Sequence, residues 1–105
     1  DEERSRVNAL ADSVLPVSLR AEGLRDDTRL GKSLTPYALE AIRAPTLVVS
    51  ARDDGFGTYA GAEFTAQQIP GAKFLGFENG GHLLVGRNAA VLGAISALLV
   101  AQASR

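Results

Sequence analysis

With 105 residues, 46% of them apolar and 22% charged, the chain has the composition of a folded globular domain and not of a disordered segment. Its 11 basic and 12 acidic residues are mixed along the sequence and leave a net charge of −1, which offers no basic stripe for nucleic acid and no charged tail for a membrane surface. The absence of cysteine excludes disulfides, thiolate catalysis and cysteine metal sites, and a single histidine excludes a histidine-rich zinc site.

The first part of the chain is predicted to begin as a helix and to continue as irregular structure. Apolar residues at helical spacing predict an amphipathic helix over residues 2–15, ending before Pro16. The charged, glycine-interrupted stretch 18–35 predicts a loop with at most one helical turn. A short helix is predicted to follow, with Thr35 as its N-cap and residues 36–42 as its body.

The second part is predicted to alternate strands and helices. The run 46–51 is rich in β-branched residues without polar alternation, which is typical of a strand buried on both faces of a parallel sheet. The other predicted elements are a helix capped by Thr58 over 58–68, a strand at 73–77 and a helix capped by Asn88 over 89–103. Such a unit forms a right-handed parallel crossover. Because two parallel strands cannot hide both faces and both edges, more sheet is expected from elsewhere.

Two residues with catalytic chemistry follow the two predicted strands. Asp54 comes after the first strand, and Gly80-Gly81-His82 comes after the second. In open parallel sheets the carboxyl ends of the strands border one crevice, so both side chains are expected in the same site. Histidine can act as general base and then as general acid, while a buried carboxylate fixes its tautomer and stabilises the imidazolium. The double glycine suits a sharp turn before the ring.

The order of acid and then histidine is that of the last two members of a nucleophile–acid–histidine triad. The first member is missing from the sequence, because no Gly-x-Ser-x-Gly occurs in it. Ser50 lies within a predicted strand and Ser18 lacks flanking glycines, so neither is predicted to be the nucleophile. Taken alone, the acidic residue is also typical of a turn and the histidine of a surface loop. Their order, spacing and strand contexts together favour the catalytic interpretation.

Four neighbouring residues receive weaker predictions. Asp53 is interpreted as a solvated turn residue, and Arg87 as a surface residue. Phe56 and Tyr59 are candidate residues of the substrate pocket, with simple packing at the start of a helix as the alternative. No metal site and no cofactor are expected.

The chain resembles the C-terminal part of an α/β hydrolase in three segments, Ala44–Asp54, Ile69–Phe74 and Gly80–His82. The resemblance implies an α/β fold in which 46–51 is the seventh strand and 73–78 the eighth. It also implies that residues 1–43 are the end of a helical cap and residues 44–105 the C-terminal part of the core.

The resemblance further implies that Asp54 and His82 are the acid and the base of the triad. The sequence departs from the family pattern at Ala51, where a glycine is usual, and at Gly55–Thr58, which replaces a stretch that often contains proline.

The function implied by the resemblance is hydrolysis of an ester-like or related carbonyl compound, without a cofactor. A variant with an aspartate nucleophile, as in dehalogenases and epoxide hydrolases, stays open, as does cofactor-free haloperoxidation. A further alternative is a non-catalytic binding module or an inert fragment on the same scaffold. Because the chain begins at Asp1 and contains no methionine, we expect a processed or truncated product that is inactive alone.

The expected partners are a small-molecule substrate and the N-terminal half of the same fold, with no nucleic acid and no membrane. Copies of the chain are also expected to associate through an unpaired strand edge. No signal peptide is visible, and a cytoplasmic location is expected.

Overall fold

A computed structural model describes residues 1–104 of the chain. The chain divides into two compact units, one from Asp1 to Tyr37 and one that begins at Ala38. The predicted boundary after residue 43 falls within the second unit, and the assignment of residues 1–43 to the end of a cap stays a prediction. Within residues 1–104, no helix is both long and apolar enough to cross a membrane.

The first unit begins with the amphipathic helix that the sequence predicts. This helix, α1, spans Glu2–Val14, and the carboxylate of its N-cap Asp1 accepts the backbone N–H of Glu3 at 3.1 Å. The helix ends before Pro16, as expected from the missing N–H of proline. A short 3-10 helix, Val17–Arg20, follows it.

The loop predicted over residues 18–35 is wrong in its central part, because a second helix, α2, spans Ala21–Gly31. Gly23 lies inside this helix, where a glycine costs only about 1 kcal/mol relative to alanine. Glu22 in the first turn and Arg29 in the last turn complement the helix dipole. The glycine-interrupted composition therefore concealed a helix whose charges are placed favourably at both ends.

The short helix predicted over residues 35–42 is also wrong in its extent. The structure has a single 3-10 turn, Leu39–Ala41, with Ala38 in the N-cap position, so neither Thr35 nor Pro36 begins it. An isolated helix this short recovers too few hydrogen bonds to offset the ordering of its first turn.

The second unit confirms the predicted alternation of strands and helices. Its elements are β1 at Leu47–Ala51, α3 at Tyr59–Gln68, β2 at Lys73–Phe77 and α4 at Asn88–Ala103. The two strands pair in parallel, and the register runs from Leu47 opposite Lys73 to Ala51 opposite Phe77. This mixture of helices with a small parallel sheet is an α/β arrangement of the kind found in the C-terminal part of an α/β hydrolase.

The predicted caps of α3 and α4 differ in detail. Thr58 does occupy the N-cap position of α3, but its side chain makes no capping hydrogen bond. Asn88 is the first residue of α4 and not its cap, since Arg87 holds that position without a side-chain capping bond. The side chains in the two N-cap positions bond instead to the loops after the strands: Thr58 donates to the carboxylate of Asp54, and Arg87 donates to the carbonyl of Asn79.

Little of the second unit is buried. Among the described residues the buried apolar side chains are Ala51 and Ile69, which are 1% and 5% exposed. The expected burial of β1 on both faces is reached only at its carboxyl end, at Ser50 and Ala51. Each strand has an outer edge that no other described strand pairs with, because the sheet has only these two.

Apolar side chains of both large helices in this unit remain exposed. Phe64 of α3, which the sequence pattern assigns to the core, is 56% exposed. Helix α4 is apolar around most of its circumference, and Leu92, Ile95 and Leu99 on its predicted core face are all exposed. A helix that is apolar on all sides is typical of one enclosed in a larger protein.

Candidate active site

Asp54 and His82 lie side by side at the carboxyl end of the sheet. Because Ala51 pairs with Phe77 at the last rung, the loops that follow β1 and β2 leave the sheet at the same level. Nδ1 of His82 is 3.0 Å from Oδ2 of Asp54. The two residues that the sequence singles out as acid and base are therefore in direct contact.

The carboxylate of Asp54 is surrounded by donors. Its side chain is 4% exposed, and Oδ1 accepts the backbone N–H of Phe56 at 2.9 Å. Oδ2 accepts the hydroxyl of Thr58 and also faces His82. The hydrogen bond from Thr58, followed by those from His82 and Phe56, lowers the pKa of Asp54 from 3.8 to about 2. The carboxylate is consequently ionised at neutral pH.

A short chain of hydroxyl groups supports this carboxylate from the interior. Oγ of the buried Ser50 lies 3.0 Å from Oγ1 of Thr58. An ionised carboxylate can only accept, so Thr58 donates its proton to Asp54 and Ser50 donates in turn to Thr58. The hydroxyl proton of Ser50 is thus used in a hydrogen bond to Thr58, which in turn donates to Asp54.

The imidazole of His82 is held on one side and open on the other. Its side chain is 56% exposed, and Asp54 is its hydrogen-bond partner among the described residues. Because the ionised carboxylate accepts from Nδ1, the proton of the neutral ring resides there and Nε2 keeps a free lone pair. This arrangement leaves Nε2 able to take a proton from a group in the adjoining space.

Asp53, predicted to be a solvated turn residue, holds the turn before His82. Oδ1 of Asp53 accepts the backbone N–H of Gly81 at 2.8 Å, and Oδ2 accepts that of Gly80 at 3.2 Å. The two glycines have φ angles of +136° and +61°, which side chains rarely permit. The sequence offered two signals for this contact, namely an acidic residue next to the predicted acid and a double glycine before the histidine.

Arg87, predicted to be a surface residue, closes the same loop from its far end. Its Nε donates to the backbone carbonyl of Asn79 at 3.1 Å, and its Nη2 donates to the side-chain oxygen of Asn79. The guanidinium also lies 5.5 Å from the centre of the Phe77 ring. The segment that carries His82 is thus tied together where it leaves β2 and where it enters α4.

A small cleft of about 90 Å³ borders the acid and the histidine. Its lining residues are Val49, Ser50, Ala51, Asp54, Thr58, Gly81, His82 and Leu84. Neither of the two predicted pocket residues belongs to this lining.

The two predicted pocket residues have different surroundings. Phe56 is 78% exposed and its ring meets His82 edge-on, with ring centres 4.7 Å apart. Tyr59 packs instead against Phe74, with ring centres 5.4 Å apart, and the guanidinium of Arg52 lies 4.3 Å from its ring centre. Phe56 therefore borders the histidine, whereas Tyr59 lies on the sheet; their roles in a pocket stay predictions.

No group of three or more histidine, cysteine, aspartate or glutamate side chains within residues 1–104 is arranged to hold a metal ion. The contact between Asp54 and His82 permits proton transfer at Nε2 of the imidazole, with Asp54 as its fixed negative partner.

The comparisons with known proteins agree with this architecture. A family profile described as TAP-like protein, of the α/β-hydrolase family, matches residues 29–103. No curated protein and no solved structure gives a match. The matched range includes both strands, both helices of the second unit, Asp54 and His82. The chain belongs to the TAP-like family of α/β hydrolases.

Proposed function

We propose that the chain supplies the acid, Asp54, and the general base, His82, of a nucleophile–histidine–aspartate triad that hydrolyses an ester-like or related carbonyl substrate. Membership of the α/β-hydrolase family supports a hydrolase as the parent protein. The observation that carries the finer assignment is the 3.0 Å contact between Nδ1 and the buried carboxylate, with the ring otherwise exposed.

The reaction follows from that geometry. Nε2 of His82 takes the proton of the nucleophile's hydroxyl while the hydroxyl oxygen attacks the carbonyl carbon of the substrate. The electron pair of the carbonyl double bond moves onto the carbonyl oxygen. The carboxylate of Asp54 stabilises the imidazolium that forms. When the tetrahedral intermediate collapses, the leaving alkoxide takes the proton from Nε2. A water molecule then attacks the acyl-enzyme, with His82 again accepting and returning the proton. This step releases the carboxylic acid product and restores the neutral ring.

The nucleophile is proposed to come from polypeptide outside these residues. The sequence has no Gly-x-Ser-x-Gly, and the buried hydroxyl of Ser50 is committed to Thr58. An aspartate nucleophile would keep the same roles for Asp54 and His82, with the histidine activating the hydrolytic water. We use "complete enzyme" for this chain together with the polypeptide that carries the nucleophile.

The test is carried out on the complete enzyme with a fluorophosphonate probe for active-site serine and with a small activated ester. Replacing His82 by alanine should abolish labelling and turnover, and Asp54→Asn should lower kcat by about 10⁴-fold because the tautomer is no longer fixed. Asp12→Asn, which changes an exposed carboxylate on α1, is the matched control and should have no effect. Full labelling and turnover after His82→Ala would refute the triad.

The chain by itself should be inactive, since a histidine and an acid without nucleophile and oxyanion hole retain little of the rate enhancement. The same ester is incubated with the purified 105-residue chain and with its His82→Ala variant. Turnover that depends on His82 would contradict this part of the proposal. A complete enzyme that neither labels nor turns over any acyl substrate would favour a binding module on the same scaffold.

A further inference from the structure

We propose that Asp53 is a positioning residue that holds the backbone of the histidine loop, so that His82 presents Nδ1 to Asp54 and Nε2 to the reacting atoms. This inference rests on the proposed function of His82. Among the described residues, the hydrogen bonds of the Asp53 carboxylate go to the N–H groups of Gly80 and Gly81, and Asp53 does not line the small cleft. It acts through these two peptide groups, which precede the ring of His82.

The carboxylate of Asp53 accepts two hydrogen bonds from residues that are distant from it in the sequence. Each oxygen of Asp53 accepts one N–H, from Gly81 at 2.8 Å and from Gly80 at 3.2 Å. Consecutive peptide N–H groups that converge on one anion form a concave anion-binding arrangement. Hydrogen bonds to an ionised acceptor are also stronger than those between neutral groups. The loop after β1 thus fixes the loop after β2 directly before the histidine.

The two residues that donate these bonds have the least conformational preference of their own. Gly80 and Gly81 both have positive φ, and glycine populates this region about as readily as the ordinary one. Their carbonyl groups are bonded within the loop, Gly80 to the N–H of Val85 at 2.7 Å and Gly81 to that of Leu84 at 3.2 Å. Their N–H groups depend on Asp53. Without Asp53, the peptide planes before His82 keep their carbonyl hydrogen bonds but lose the bonds that fix their N–H groups.

Because Asp53 and Asp54 are adjacent, the same loop fixes both the backbone before His82 and the imidazole ring of His82. One residue at the end of β1 fixes the backbone of His82 through the glycines, and the next fixes Nδ1 of its ring. Another link between the same strand ends, Arg52 Nε to Glu78 Oε1 at 3.0 Å, has exposed side chains and touches no glycine N–H. Exposed ion pairs contribute little to stability. The Arg52–Glu78 pair therefore provides a matched control.

The first readout is the imidazole of the single histidine, observed by ¹⁵N NMR in the full chain at a pH where the ring is neutral. Wild type should show one tautomer, with the proton on Nδ1. Asp53→Ala should shift the population toward the Nε2-protonated tautomer, and Asp53→Asn, which keeps one acceptor oxygen, should give an intermediate shift. Glu78→Ala should match wild type. These spectra do not depend on catalysis, so they separate this inference from the proposed function.

The second readout is kinetic and uses the complete enzyme. Asp53→Ala should lower kcat by about 10²-fold with little change in KM, as expected for a misplaced catalytic group, and Asp53→Asn should recover part of the loss. Wild-type kcat and a wild-type tautomer in a folded Asp53→Ala variant would overturn the inference. If Asp53→Ala does not fold, Asp53→Asn decides: a shifted tautomer supports the inference, and an unchanged tautomer with unchanged kcat overturns it.

Discussion

Replacing Thr58 by valine should raise the pKa of Asp54, because the valine keeps the shape of the side chain and removes its hydroxyl. That hydroxyl donates to Oδ2 of Asp54 and is the largest cause of the low pKa of this carboxyl. The donors from His82 and Phe56 remain in the variant. We therefore expect a pKa above the wild-type value of about 2 and still below the ordinary 3.8.

The interval is wide enough to measure. At pH 3, a carboxyl with a pKa of about 2 is about 90% ionised, whereas one with the ordinary value of 3.8 is about 14% ionised. The Cγ resonance of Asp54 in a ¹³C-labelled chain, followed from pH 6 to pH 1.5, reports this ionisation directly. Thr58→Ser keeps the donor and is the matched control. The reasoning is refuted if the valine variant titrates like wild type, or if the serine variant shifts as far as the valine variant.

The same pKa fixes the sign of the pH dependence of stability. Because folding lowers the pKa of Asp54, its ionisation stabilises the folded state at every pH above 3.8, and this contribution is lost as the pH falls through about 2. The pH-dependent part of the difference in unfolding free energy between wild type and Thr58→Val should therefore be constant above pH 4. It should be much smaller at pH 2 and vanish below that pH. Urea titrations at pH 2, 3, 4 and 6 measure it, and a difference that grows toward low pH would contradict the assignment.

Three further outcomes are expected. A Cβ at Gly76 would overlap the hydroxyl of Tyr59, so Gly76→Ala should lower the free energy of unfolding by about 1–3 kcal/mol. Gly93→Ala, which has open space in α4, should raise it by about 0.5–1 kcal/mol, and urea unfolding that ranks the two variants the other way would contradict the packing. Sedimentation of the chain should show concentration-dependent association through the unpaired strand edges, and a strict monomer would argue against it. Phe56→Ala should raise KM for apolar esters in the complete enzyme by up to about tenfold, and an unchanged KM would remove Phe56 from the pocket.

The sheet and its two helices could be predicted because their signals are local. The β-branched run before Asp54 and the breaks at Pro45 and Pro70 set the strands to within one residue of their observed limits. Helix α2 could not be recognised in the same way, since Gly23 and a high density of charge are also typical of loops. Glu22 and Arg29 lie at opposite ends of the helix, where their charges complement its dipole, and composition does not convey this placement.

The contact between Asp54 and His82 could be predicted from the sequence, whereas the contacts of the residues around them could not. Asp54 and His82 follow two adjacent parallel strands, so topology alone places them together. The roles of Asp53, Thr58 and Arg87 depend on loop conformations that include glycines at positive φ. Sequence spacing does not determine such conformations, and a polar residue before a helix has the same pattern whether it caps the helix or turns toward a neighbouring carboxylate.

The equal level at which β1 and β2 end has a consequence for how the protein tolerates change in length. The distance between Asp54 and His82 is set by the ladder of the sheet and by the loops that directly follow β1 and β2, and not by the later part of the connection, from α3 to the start of β2. That segment turns at Gly71, which has a φ of +75° and open space around it, at the end of the sheet away from the site. Residues inserted there, or a cut in the backbone, would leave Asp54 beside His82 as long as the strands stay paired. An insertion of one residue between Phe77 and His82 would not.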